Sequence, residues 1–214
     1  MQIDEIIDLV NPIALHEMSV ADDPFYNGRF RSNAAYSWYN LRLLGEIQRM
    51  ALPVAGYHEI GGGAGLLAIG LALLGYDAVN IDHYEPRLAC GRRILERLGE
   101  SAPALALRVT MVLGRFPEAT VGLATKDSLA ITTNFAGTHA GEPAMRDWEL
   151  VAFLDAVHSR YGGYLFDACL LGGHHRQPEA WKHVLDLVSD VFGNTPALVF
   201  EMRADYSRYY LVES

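Results

Sequence analysis

The stretch Glu59-Ile60-Gly61-Gly62-Gly63-Ala64-Gly65 sets an acid ahead of alternating glycines, and Asp82 closes the next apolar run. Glycine has no Cβ and tolerates left-handed backbone, so a turn of this kind lets a ligand lie directly on the main chain. An acid at the tip of the following strand can accept hydrogen bonds from both hydroxyls of a ribose. These residue types at this spacing point to a nucleoside-like ligand at the carboxyl ends of parallel strands. The spacing also excludes ligands. A dinucleotide fingerprint counted from Gly61 needs glycine where Leu66 stands, and a P-loop needs a Lys-Ser/Thr pair that the turn lacks. Two plain structural alternatives stand beside this reading. Asp82 can cap a helix that starts near Pro86, and a tight strand-to-helix turn can carry glycines with no ligand.

Proton chemistry has its own candidates. Asn134, His139 and Glu142 share one polar, glycine-containing stretch, 132–142, and Gly172-Gly173-His174-His175-Arg176 forms a second. Histidine titrates near neutral pH and can take a proton from an acceptor group. Asn134 can bind or orient that acceptor, with His139 or Glu142 as base and His174 or His175 as a rival; a solvated loop histidine is the ordinary alternative. The His-His pair has no Cys or acid at ligand spacing, so no metal is expected. Arg29 and Arg31 can meet an anionic substrate or a cofactor carboxylate, or serve as surface charge. The aromatics Phe25, Tyr26, Tyr36, Trp38 and Tyr39 read as half core and half lid.

The elements that must position these groups alternate regularly. Ile3, Ile6, Ile7 and Val10 repeat at helical spacing. Ser32 or Asn33 can cap a helix that runs to about Met50, and Pro53 stops it before a strand over 57–60. A helix over 66–74, a strand over 78–82 and a helix over 86–98 follow, and Gly75 suits a C-cap. Strands over 107–113, 128–133 and 164–170 then alternate with helices over 143–161 and 179–192. Two strands close the chain, over 197–202 and 208–212, separated by residues 203–207. That gap is too short for a helical crossover, so the pair must be an antiparallel hairpin. Alternation of this kind predicts an α/β fold: a Rossmann-like, doubly wound, mostly parallel seven-stranded sheet with a C-terminal antiparallel hairpin and an N-terminal helical lid. The domain reading is a single domain over 1–214, with a helical cap over 1–52 and a core over 53–214.

The glycine turn, Asp82 and the closing hairpin together resemble the class I S-adenosylmethionine-dependent methyltransferases, and the Glu-Ile-Gly-Gly-Gly form resembles sugar O-methyltransferases. The resemblance implies that Glu59, Gly61, Gly62, Gly63 and Gly65 lie under the methionine part of S-adenosyl-L-methionine and that Asp82 binds its ribose. His83, Phe116 and Thr133 are further candidates for the cofactor site, and the loop after the fourth strand, at the carboxyl ends where such sheets bind ligands, puts Asn134 and His139 forward for catalysis. Tyr84 can cover an adenine face or simply pack. One departure stands out. The family often carries an acid after strand three, whereas this chain has Leu113-Gly114-Arg115-Phe116, with Glu118 only after Pro117. Backbone groups and stacking on Phe116 or Arg115 are then expected to hold adenine.

Bulk properties narrow the partner. The chain has 214 residues, 50% of them hydrophobic, and a formal net charge of −9. No apolar run reaches the ~18–20 residues that span a membrane, and the start Met-Gln-Ile-Asp-Glu is acidic rather than signal-like. Cys90 and Cys169 sit in apolar contexts, as buried thiols do in a reducing compartment. The expectation is therefore a cytoplasmic enzyme that transfers a methyl group to a hydroxyl or amine of a small molecule, with no nucleic-acid or membrane partner. Alternatives are another group transfer from the same cofactor, a non-catalytic nucleotide-binding module and an NAD-dependent protein. Asn134-Phe135-Ala136-Gly137 differs from the Asn-Pro-Pro-Tyr type motif, which weighs against adenine or glutamine N-methylation.

Overall fold

A computed structural model describes residues 1–23, 26, 38–103, 108–133, 145–168, 180–202 and 207–214. Its strands are β1 (Gly56–Ile60), β2 (Ala78–Asp82), β3 (Val109–Leu113), β4 (Ser128–Thr132), β5 (Gly163–Asp167), β6 (Ala197–Met202) and β7 (Ser207–Glu213). Its helices are α1 (Ile3–Ser19), α2 (Trp38–Met50), α3 (Leu66–Leu73), α4 (Glu85–Gly99), α5 (Asp147–Arg160) and α6 (Ala180–Phe192). The strands form one seven-stranded sheet in the order β3-β2-β1-β4-β5-β7-β6. The first five run parallel, while β7 is antiparallel to both β5 and β6. The predicted sheet and closing hairpin are both present. The sequence did not say that β7, the last strand, would insert between β5 and β6.

The central strands are buried on both faces, so their residues sort by the period of two. Tyr57, Leu129, Ile131 and Leu165 face a core shared with α1, α2, α3 and α4. Ile60, Ile81, Ala130, Tyr164 and Phe166 face a second core shared with α5 and α6. Winding runs outward from β1 in one direction through β2 to β3, and in the other through β4 to β5. The strand order reverses at β1, and a crevice opens there at the carboxyl ends, where ligands of open α/β sheets bind. Most element ends differ from expectation by a residue or so; α4, for example, starts at Glu85 and ends at Gly99, but α5 starts only at Asp147 and β5 ends at Asp167.

Helix α1 runs through Pro12 to Ser19. An interior proline costs a helix about 3 kcal/mol. Burial of Val10 before it and of Ala14 and Met18 beyond it, against the first core, carries the helix across that break. Polar contacts fix the docking. Glu17, almost fully buried, takes Arg93 at 2.8 Å and Arg97 at 2.9 Å, both from α4. Burial alone would raise the Glu17 carboxyl, but hydrogen bonds and charge from the two guanidiniums outweigh it and hold the group below the usual carboxylate range. Both arginines are near half exposed, which limits the gain through solvent screening. Replacing Glu17 by Gln is expected to lower stability by about 1 kcal/mol in urea unfolding. An unchanged midpoint would mean that the apolar face of α1 does all the holding.

Candidate active site

The glycine turn links β1 to α3, and its three alternate glycines share one conformation. Gly61, Gly63 and Gly65 have φ of 74°, 60° and 72°. The G-x-G-x-G spacing thus reflects a left-handed residue at every second position, which a side chain would strain. The amides of Gly61, Gly63, Ala64 and Gly65 are engaged within the protein. Gly61 N–H donates to the Ile81 carbonyl at 2.7 Å, continuing the β1–β2 ladder, and Gly65 N–H donates to the Gly62 carbonyl at 2.9 Å. Gly63 N–H donates to Asp82 Oδ2 at 2.8 Å, and Ala64 N–H to the Tyr26 hydroxyl, also at 2.8 Å. A pyrophosphate cradle needs such amides open. This geometry therefore agrees with the failed dinucleotide and P-loop spacing.

Asp82 sits at the tip of β2, nearly buried. Its Oδ1 accepts the Tyr84 amide at 2.8 Å, so each carboxylate oxygen holds one backbone N–H. An ionised carboxylate has about four acceptor positions, which leaves capacity for two hydroxyls. The N-cap alternative is corrected. Helix α4 has Tyr84 at its N-cap with no side-chain cap bond, and Asp82 instead closes a local turn two residues earlier. His83 is exposed beside it, with Nδ1 3.9 Å from Asp82 Oδ1. Across the edge, Leu113 stands in register with Asp82. Leu113 is 51% exposed and Tyr84 38% exposed. Two apolar surfaces thus flank the acid at the open end of the crevice.

Glu59 lies beneath the turn and is 3% exposed. Its Oε1 accepts the Thr133 hydroxyl at 3.2 Å, while Oε2 has no hydrogen-bond partner among the described residues. Burial pushes the Glu59 carboxyl up to about 8. Asp82 adds to the rise, and the Thr133 hydroxyl and the Ala68 amide of α3 oppose it. Asn80, which the sequence reading passed over, lies directly beside Glu59. The two are register partners across β1 and β2. Asn80 is fully buried, and its Nδ2 donates to the Gly63 carbonyl at 2.9 Å. A polar residue in the otherwise apolar run Ala-Val-Asn-Ile-Asp was the available signal. Gly62 is required for a different reason from its neighbours: a Cβ there would strike the Glu59 carboxyl and the Asn80 side chain.

The N-terminal segment forms another wall. Asp23 pairs with Arg87 Nε at 2.7 Å, and the Arg87 guanidinium lies over the Tyr26 and Tyr84 rings at 5.9 and 5.2 Å. Tyr26, which packs on the turn, is thereby tied to the start of α4. Phe116 is half-buried and meets Phe153 of α5 edge-on at 5.1 Å. Glu118 is exposed at the start of a 3-10 turn, Glu118–Thr120. Thr133, at the end of β4, is buried against Glu59. Asn134, His139, Glu142, His174, His175, Phe25, Arg29, Arg31 and Tyr36 lie outside the described residues, as does Cys169; Cys90 is buried as expected. The stretch with Asn134 and His139 leaves from Thr133, beside Glu59, and rejoins the described chain at Met145, ahead of α5.

No protein-family model and no curated protein sequence matches the chain. Solved structures do. Cofactor-bound Rv0187 from MTB is 20% identical with a TM-score of 0.63, over 94% of this chain and 88% of that one. The bifunctional kinase-methyltransferase WbdD is 19% identical with a TM-score of 0.57, over 90% of this chain and 42% of that one. RsmC, a T. Thermophilus 16S rRNA methyltransferase solved with AdoMet and guanosine, is 17% identical with a TM-score of 0.58, over 87% of this chain and 45% of that one. The chain thus spans less than half the length of WbdD and RsmC. At these identities the likeness is one of fold. Sheet order, hairpin and the glycine turn at the reversal of the strands give this chain the fold of the class I S-adenosylmethionine-dependent methyltransferases.

Proposed function

We propose that this protein is an S-adenosylmethionine-dependent methyltransferase acting on a hydroxyl or amine of a small molecule. The observation that carries the reading is the carboxylate of Asp82. It is held by the Gly63 and Tyr84 amides at the strand reversal, with acceptor capacity left over. The residues fit the cofactor by their chemistry. Asp82 accepts from the ribose diol. The bare Gly61–Gly63 backbone admits the methionine chain, and the buried Glu59, with one orphaned oxygen, answers its ammonium. Tyr84 and Leu113 offer apolar faces to the adenine, in place of the acid that this chain lacks after β3.

When bound, the cofactor supplies a methyl group on a sulfonium, already a good leaving group. The protein's part is to orient the acceptor in line with it, and such positioning can contribute several kcal/mol. Asn134 orients the acceptor and His139 takes its proton if it is a hydroxyl, a contribution of ~10²–10⁴-fold. An acidic chain supports a small acceptor over a nucleic acid: the net charge is −9. Among the described residues, Arg87, Arg93, Arg97, Arg108 and Arg208 also pair with carboxylates. Among the described residues, no helix is long and apolar enough to cross a membrane.

Titration calorimetry with S-adenosylhomocysteine and with NAD tests the reading. Binding of the first and not the second is expected, and NAD binding alone would sink it. Product mass separates methyl transfer from transfer of a larger fragment of the cofactor. Asp82→Ala is expected to weaken S-adenosylhomocysteine binding by roughly 100-fold, as the loss of charge-assisted hydrogen bonds predicts. Its circular dichroism should stay that of the parent, and unchanged affinity would remove Asp82 from the site. His139→Ala should lower turnover by roughly 100-fold or more while cofactor affinity stays within about twofold. A fully active variant would assign the proton to another group.

A further inference from the structure

Three features meet under Gly62. Glu59 Oε2 and Asn80 Oδ1 are both buried oxygens with no hydrogen-bond partner among the described residues, on residues that are 3% and 0% exposed. Both lie within 2.5 Å of one point, the position that a Cβ on Gly62 would take. As register partners on adjacent parallel strands, the two side chains also lie side by side on the same face of the sheet, about 4.8 Å apart at the backbone. Rotating the Asn80 amide does not resolve the conflict. Its Nδ2 is fixed by the Gly63 carbonyl at 2.9 Å, and the flipped amide would turn oxygen against that carbonyl. Two buried acceptors that converge on one point need a donor between them, because a buried acceptor left without a partner keeps its desolvation cost.

We propose that Glu59 carries that donor, a carboxyl proton shared with Asn80 Oδ1 in the ligand-free protein, and that cofactor binding releases it. The release rests on the methyltransferase reading above. With Oε1 engaged by the Thr133 hydroxyl, Oε2 is the oxygen that holds the proton. A cationic ligand reverses the balance. Its ammonium compensates the carboxylate charge, and its N–H groups supply the donors that the two oxygens lack. The proton leaves Oε2 for solvent, the carboxylate keeps the electron pair, and one positive charge enters as one leaves.

The surroundings of Glu59 agree. From β2 it faces the neutral Asn80 and the carboxylate of Asp82, whose charge opposes a second anion. From the end of β4 it faces the Thr133 hydroxyl, and from α3 the Ala68 amide. Arg87, whose side chain reaches the turn at Gly63, is paired with Asp23. With the carboxyl raised to about 8, roughly nine in ten molecules hold the proton at pH 7.

Glu59→Gln is the informative variant. Its amide keeps the size, can accept from Thr133 and donate to Asn80 Oδ1, and cannot ionise. Calorimetry with S-adenosylhomocysteine at pH 7, in buffers of different ionisation heat, should show roughly one proton released per ligand by the parent beyond whatever the variant releases. Parent affinity should rise up to tenfold per pH unit from pH 6 towards 8, and variant affinity much less. Equal proton counts in the two proteins would overturn the release. A second arm needs no ligand. The folded parent binds the Glu59 proton more tightly than the unfolded chain does, so its stability should fall as pH rises between about 4.5 and 8. The stability gap in favour of Glu59→Gln should widen over that window. Parallel pH profiles would overturn the shared proton itself. No binding heat from S-adenosylhomocysteine in any buffer would end the cofactor reading and the release with it, while leaving the shared proton to the second arm.

Discussion

The carboxylate of Asp82 closes the crevice at which the sheet reverses. One oxygen holds the Gly63 amide of the glycine turn and the other the Tyr84 amide ahead of α4, while its main-chain carbonyl takes the Gly114 amide at 2.9 Å. A single residue at the end of β2 therefore fixes the loops that follow β1, β2 and β3. A parallel sheet leaves its strand ends as separate loops, and nothing in the ladders aligns one loop with the next. Asp82 supplies that alignment and still presents unused lone pairs to the outside.

The same economy explains why polar residues are tolerated in strands buried on both faces. β1 reads Gly-Tyr-His-Glu-Ile and is buried throughout. His58 lies on the α5 side, where burial lowers it to about 4 and its Nδ1 meets the Tyr161 hydroxyl at 3.1 Å, so it is a neutral structural group. Glu59 lies on the opposite face beneath the turn. Burial favours the neutral form in both cases, by lowering the base and raising the acid. Neighbours then separate their roles. His58 has its partner within the core, whereas Glu59 and Asn80 each keep a buried oxygen with no partner among the described residues, beneath the glycine turn.

The N-terminal cap is built into the site. Glu17 ties α1 to α4 through two arginines, and the chain beyond α1 brings Asp23 to Arg87 and Tyr26 to the Ala64 amide. Helix α4 packs equally closely from its own side: a Cβ on Gly91 would strike the Ala64 carbonyl. The turn is thus clamped between its own sheet, α4 and a residue from outside the core. Its shape follows from contacts far apart in sequence.

The alternation of strands and helices, the glycine spacing, Asp82 and the short gap before the last strand were legible in the sequence, because each is set by local chemistry. A left-handed position demands glycine, a buried parallel strand demands an apolar run, and a short connection demands an antiparallel partner. Asn80 and Tyr26 could not be assigned that way. An asparagine in a strand becomes meaningful only when the neighbouring strand sets Glu59 beside it. A tyrosine in a turn-rich stretch becomes part of the turn only when α1 docks. Asp82 likewise read equally well as a helix cap until the turns after β2 were placed. The sequence by itself determined the elements and the glycine turn between β1 and α3. Only the tertiary structure decided which polar oxygens are buried beside each other, and this matters because an unpartnered polar group is costly when the fold removes it from solvent.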